Sequence, residues 1–67
     1  MEITINGEMM TLSEDVTTIK QLINYMKIES PVIIVEQNGT ILDQEAHTAA
    51  EVKQGDSIEL VQFVGGG

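Results

Sequence analysis

The sequence predicts an α+β fold, a roll in which one helix packs against one face of a small mixed sheet. Three observations support this prediction. At 67 residues the chain has room for one domain and one core. Two Asn-Gly dipeptides lie between strand-like apolar segments, and this dipeptide is the strongest short signal for a β-hairpin. Between the two hairpins lies one short segment with the spacing of an amphipathic helix.

The first hairpin is predicted from residues 2–12. Residues 2–6 alternate polar and apolar side chains, which is the period of a half-buried strand. Asn6-Gly7 supplies the turn, because both residues tolerate a positive φ. In the returning strand, residues 8–12, we expect Met10 and Leu12 to face inward.

A loop over residues 13–17 leads to the predicted helix. Thr18 has the place of an N-cap, and Gln21 three residues later completes a capping box. The apolar stripe that follows has helical spacing and consists of Ile19, Leu22, Ile23 and Met26. A helix of about eight to ten residues is marginal alone in water, so it must dock on the sheet. Pro31 prevents any continuation.

The second half of the chain supplies the remaining strands. The β-branched run at residues 32–35 is interpreted as a strand buried on much of both faces. Further along are a turn at 38–39, a short strand at 41–42, an ambiguous segment at 43–50 that could hold a helical turn, a turn at 53–56 and a last strand at 57–64. The order is β-β-α-β-β-β, and a crossover helix permits the first and last strands to lie parallel and adjacent.

The last strand has apolar side chains on both faces. Ile58 and Leu60 point one way and Val61 and Phe63 the other. If one pair meets the helix, the other lies on the open face, where an apolar patch indicates a docking surface. The alternative is that Phe63 folds over the sheet edge and enlarges a small core.

Composition excludes several classes of function. The absence of cysteine excludes disulfides, thiolate metal sites and cysteine nucleophiles, and it fits a cytoplasmic protein. With 3 basic and 11 acidic residues the net charge is -8, which disfavours nucleic acid as a partner. This acidity serves either solubility alone or attraction to a basic partner. No segment has the pattern of a signal peptide or a membrane span, so no membrane partner is expected.

Catalytic motifs are also missing. His47 lies in a polar stretch and is predicted to be a surface histidine rather than a general base. Neither phosphate-binding glycine motif occurs, and the acidic residues lack the spacing of a metal loop, so no metal is expected. By elimination, the most interesting reactive group is the carboxylate of Gly67. Three terminal glycines extend roughly 10 Å, enough to enter a narrow site on another protein. The alternative is a frayed terminus.

The residues that support a family assignment run the length of the chain. Residues 55–67, a Gly-Asp turn and an apolar strand that ends in glycines, resemble the ThiS family of sulfur carrier proteins of thiamin biosynthesis. Residues 3–7, 18–22 and 35–38 match the same family. The resemblance implies a ubiquitin-like β-grasp roll over residues 1–64 and a flexible reactive tail over 65–67.

The resemblance also implies a mechanism. A ThiF-like adenylating enzyme would activate the Gly67 carboxylate with ATP and magnesium, which that partner holds; this chain would bind no cofactor. A sulfur donor protein such as a cysteine desulfurase would supply sulfur for a thiocarboxylate, which would then pass to thiazole synthase, ThiG. Gly66 and Gly67 correspond to the reactive tail, and Gly65 replaces the alanine often found in the family. We expect the partner-binding residues to be Val61, Phe63, Val64 and Gly65.

Three alternatives stay open. The small subunit of molybdopterin synthase, which is MoaD-like, shares the fold, the terminus and the thiocarboxylate chemistry but tends to be longer. A ubiquitin-like modifier would join its terminus to lysines. An interaction domain with an inert tail would use neither chemistry. A residue appended after Gly67 is expected to abolish the function of a sulfur carrier of either kind and of a modifier, but not that of an interaction domain with an inert tail.

Overall fold

The structure, a computed structural model, describes residues 1–30 and 32–63. In chain order its elements are β1 (Glu2–Ile5), β2 (Glu8–Thr11), α1 (Ile19–Tyr25), β3 (Val32–Gln37), β4 (Thr40–Leu42), a 3-10 helix (Gln44–Thr48) and β5 (Ser57–Phe63). The predicted order of strands and helix is confirmed, and the ambiguous segment at 43–50 contains the 3-10 helix.

The five strands form one mixed sheet with the order β2-β1-β5-β3-β4. The last strand therefore lies in the middle of the sheet. It runs parallel to β1, with Ile5 opposite Ile58, and antiparallel to β3. The predicted adjacency of the first and last strands is confirmed.

Both hairpins turn through two residues with positive φ. Asn6 and Gly7 have φ values of 50° and 84°, and Asn38 and Gly39 have values of 51° and 86°. These angles belong to the turn type whose twist matches the twist of antiparallel strands, and asparagine and glycine adopt them at low steric cost. The two predicted turns are confirmed at the predicted residues.

The helix begins with the predicted capping box. The Thr18 hydroxyl accepts from the backbone N–H of Gln21 at 3.2 Å, and the Gln21 side chain accepts from the backbone N–H of Thr18 at 3.1 Å. The helix has seven residues, fewer than the predicted eight to ten, because Lys27 adopts a φ of 58° just after the C-cap Met26. A left-handed residue ends helical hydrogen bonding at this position.

One face of the sheet forms the core with the helix. The buried hydrophobic side chains are all aliphatic, as the scarcity of aromatic residues predicts: Ile3, Ile5, Leu12, Val16, Ile19, Leu22, Ile23, Val35, Val52, Ile58 and Leu60. Met10 and Met26 are partly buried against this cluster, as predicted.

The prediction that residues 32–35 are buried on much of both faces is wrong. Val35 is fully buried and Ile33 packs against the core, but Val32 and Ile34 are 49% and 38% exposed. A strand is buried on both faces only where packed elements cover both sides of its sheet. In the described part of the chain, the core and its helix lie on one side.

Candidate functional site

The central strand β5 presents two different faces. Ile58 and Leu60 are buried in the core, whereas Val61 and Phe63 are 51% and 52% exposed. The predicted division of this strand is confirmed. Phe63 does not fold into the core, because half of its surface remains in contact with water.

Four apolar side chains form a block on the open face of the sheet. Val32 lies directly opposite Phe63, and Ile34 lies directly opposite Val61. Side chains at directly opposite positions contact each other across a sheet. We call these four residues the open-face block. The block lies at the end of β5, next to the segment that leads to the glycine tail.

A serine hydroxyl holds this end of the strand. The Ser30 Oγ lies 2.7 Å from the carbonyl oxygen of Phe63 and 3.0 Å from that of Val32. A hydroxyl has one proton, so it donates to one of these oxygens at a time. The last described residue of β5 is thereby tied to the loop that precedes β3. The roles predicted for Val64, Gly65, Gly66 and Gly67 fall outside the described residues and stay predictions, as does the boundary between residues 64 and 65.

An asparagine side chain holds β5 on the side that faces β1. Asn6 Oδ1 accepts from the Leu60 N–H at 2.8 Å, and Asn6 Nδ2 donates to the Leu60 carbonyl oxygen at 3.3 Å. The side chain thus copies the hydrogen bonds of one more strand residue after β1 has ended. Sequence reasoning identified Asn6 only as a turn residue, because a contact over 54 positions has no local signal.

A buried carboxylate fixes the start of β5. Asp56 Oδ2 accepts from Gln37 Nε2 at 2.9 Å and from the Lys53 N–H at 2.8 Å, and Asp56 Oδ1 accepts from Asn38 Nδ2 at 2.9 Å. Burial raises the pKa of the Asp56 carboxyl. Hydrogen bonds from Asn38, from the Lys53 backbone and from Gln37, with the charge of Lys53, lower that pKa by more than burial raises it, so the pKa lies below its usual value. This cluster joins the β3–β4 turn to the turn before β5.

The predicted surface position of His47 is wrong, since this side chain is 5% exposed. It lies in the 3-10 helix, which contacts α1 and turns the imidazole inward. A single short 3-10 turn has no periodicity from which burial could be predicted. The Nε2 atom has no hydrogen-bond partner among the described residues. His47 lines a groove of about 230 Å³, and none of the groove's described lining residues is a carboxylate that could orient the ring.

Two further properties concern metals and membranes. The described residues contain no group of three or more histidine, cysteine, aspartate or glutamate side chains placed to hold a metal ion. Within residues 1–30 and 32–63, no helix has the length and apolar character needed to span a bilayer.

Comparison with known proteins gives a consistent family assignment. Residues 3–67 match the model of the ThiS family. The chain is 36% identical over 63 residues to the sulfur carrier protein ThiS of Bacillus subtilis, covering 94% of this chain and 96% of that protein. It is also 33% identical over 67 residues to a thiazole synthase of Paramagnetospirillum magneticum, covering all of this chain and 20% of that protein.

The fold gives the same result. The crystal structure of the thiamine biosynthesis protein ThiS from Geobacter metallireducens superposes with a TM-score of 0.84 at 35% identity, with 100% of both chains covered. Fold, length and sequence therefore agree with the ubiquitin-like β-grasp roll that the resemblance implied. The chain belongs to the ThiS family of sulfur carrier proteins of thiamin biosynthesis.

Proposed function

We propose that this chain carries sulfur for the thiazole ring of thiamin as a thiocarboxylate on Gly67. The observation that carries the proposal is the open-face block at the end of β5. An apolar patch on a small acidic domain is typical of a docking surface. Its position next to the glycine tail suits a carrier that docks by its sheet and reaches by its terminus. Membership of the ThiS family supports the same role.

The proposed chemistry begins with activation by a partner. A carboxylate resists nucleophiles because it has no good leaving group. In a ThiF-like enzyme, which holds ATP and magnesium, the Gly67 carboxylate attacks the α-phosphorus and pyrophosphate leaves. The product is a mixed anhydride with AMP. The outer sulfur of a persulfide on a donor such as a cysteine desulfurase then attacks the carbonyl carbon, and AMP leaves. A further thiol cleaves the S–S bond of the resulting acyl disulfide, which releases the thiocarboxylate on Gly67 and leaves a disulfide between the thiol and the donor cysteine.

The proposed acceptor is thiazole synthase, ThiG. Similarity over the full length of this chain to part of a thiazole synthase supports a functional connection between the two proteins. The chain itself acts as a protein co-substrate, with Val61, Phe63, Val64 and Gly65 in contact with partners. Gly66 keeps the channel to Gly67 free of side chains. We propose a cytoplasmic location for the carrier. A chain without cysteine has none of the disulfides that are common in proteins of oxidising compartments.

The decisive experiment is intact-protein mass spectrometry. The chain is incubated with ATP, magnesium, a ThiF-like enzyme and a sulfur source. Exchange of one oxygen for sulfur, mapped to Gly67, is the expected result. An unchanged mass, with an enzyme that loads another carrier in parallel, contradicts the proposal. Lysine conjugates instead of a free thiocarboxylate would indicate a modifier.

Two variants locate the reaction at the terminus. One residue appended after Gly67 is expected to abolish loading, and Gly66→Phe is expected to impair it while the thermal transition remains. Glu45→Ala, in the exposed part of the 3-10 helix, is the matched control and should load normally. Normal loading of the extended chain would contradict the assignment of Gly67.

A further inference from the structure

The open face of the sheet is not uniformly apolar. Along the paired strands β3 and β5, the row beyond Ile34 and Val61 consists of Glu36 directly opposite Glu59. We call these two residues the acidic pair. Like charges at directly opposite positions of a sheet destabilise the pairing. The free domain therefore has an unfavourable contact between two carboxylates next to the open-face block.

The strands contain nothing that offsets this charge. The chain has three basic side chains, Lys20, Lys27 and Lys53, and none of them lies in a described strand. Lys20 is in the helix, Lys27 follows it, and the charge of Lys53 acts on Asp56 before β5. Within the described strands the acidic pair therefore has no basic neighbour, and solution or a partner can supply a compensating cation.

The surroundings of the pair favour a particular kind of cation. Glu36 is partly buried and lies opposite Ile41 of β4, which is 67% exposed. A protein that covers the open face removes water from Ile41 and from both carboxylates together. Desolvated carboxylates need charged hydrogen-bond donors. A guanidinium suits this position, because it has five donors in a planar fork and is weakly hydrated.

We propose that the adenylating partner covers the open-face block with apolar side chains and inserts an arginine between Glu36 and Glu59. The acidic pair lies about 7 Å behind the Ile34–Val61 row, given two strand residues at about 3.4 Å each. The open-face block and the acidic pair thus allow the chain to bind the partner in one orientation only. In this orientation the end of β5 points toward the active site of the partner. The inference rests on the proposed function and names the chemistry of the partner surface.

The test compares two double variants with the same change in net charge. Glu36→Gln with Glu59→Gln neutralises the acidic pair. Glu14→Gln with Glu45→Gln removes two exposed carboxylates outside the strands. Affinity for the ThiF-like enzyme is measured by calorimetry at low and at physiological salt, and the melting temperature of each variant is recorded.

We expect neutralisation of the pair to weaken binding at least about ten-fold, as for loss of one partner of a desolvated charge contact. The control should lose less than about three-fold, and this smaller loss should vanish at physiological salt, as expected of long-range attraction. The melting temperature of the first variant should equal or exceed that of the unaltered chain, because a like-charge contact is removed. A contact that only stabilised the fold would lower it.

Three results would overturn the inference. Equal losses in the two variants would mean that only net charge matters. A fall in melting temperature that accounts for the lost binding would mean that the pair is structural. A dimer seen by sedimentation, with the block covered by a second copy, would give the surface another occupant. Mass spectrometry separates this inference from the proposed function: normal loading of the unaltered chain with equal losses overturns the inference alone.

Discussion

The alternating faces of β5 lead to a prediction about two substitutions on one strand. Phe63→Ala should impair partner binding and leave the fold intact, whereas Ile58→Ala should destabilise the fold. The two residues lie on opposite faces of the strand, so each serves as the control for the other. Phe63 is 52% exposed and Ile58 is completely buried.

The expected magnitudes follow from this burial. Complete burial of a phenylalanine side chain contributes about 1.5–3 kcal/mol, so the half-exposed Phe63 contributes about 1 kcal/mol to folding. Truncation of a buried isoleucine to alanine costs about 2–5 kcal/mol. A chain of this length is expected to have a total stability of about 3–10 kcal/mol, at about 0.05–0.15 kcal/mol per residue. Ile58→Ala therefore removes much of the stability, and Phe63→Ala removes little.

Urea denaturation and calorimetry with a ThiF-like enzyme measure the two effects separately. An aromatic anchor at the centre of an interface contributes about 2 kcal/mol or more, so Phe63→Ala should weaken binding by about 30-fold. The reasoning is refuted if Phe63→Ala costs as much stability as Ile58→Ala. It is equally refuted if the folded Phe63→Ala variant binds with unchanged affinity.

Three further predictions concern the residues that hold the fold. Because the Asp56 pKa is lowered in the folded state, its stabilising contribution is present above the unfolded value of 3.8 and is lost as pH falls below it. Urea midpoints from pH 7 to pH 2 should show this loss, and Asp56→Asn should remove it while lowering stability at neutral pH. Thr18→Ala should cost about 1 kcal/mol by removing the capping box, measured as a lower urea midpoint. His47→Leu should change stability by less than about 1 kcal/mol, since it removes a buried nitrogen that has no hydrogen-bond partner among the described residues. Sulfur loading should persist in that variant, and its loss would indicate a catalytic role.

Features of the fold that depend on neighbouring residues were predictable from the sequence. The turns at Asn6-Gly7 and Asn38-Gly39 follow from the backbone angles that asparagine and glycine tolerate. The capping box at Thr18 follows from the spacing of one hydroxyl and one amide. Each is determined within four residues, so the structure confirms them position by position.

Features that depend on distant neighbours were not predictable. The β-branched run that starts at Val32 has the composition of a strand buried on both faces, yet one of its sides is exposed and belongs to the open-face block. Composition does not distinguish an apolar side chain kept for a partner from one kept for the core. The burial of His47 similarly depends on the packing of the 3-10 helix against α1, and no local pattern indicates it.

The central position of β5 has a consequence for how the domain assembles. The β1–β2 and β3–β4 hairpins form from local contacts, but they share no sheet until Ser57–Phe63 is inserted between them. That insertion closes loops of more than fifty residues, from Asn6 to Leu60, and such non-local pairing slows folding. During synthesis the sheet is completed only after its last strand has left the ribosome. The same insertion aligns Val61 and Phe63 with Val32 and Ile34, so a partner that recognises the block binds only chains whose folding is finished.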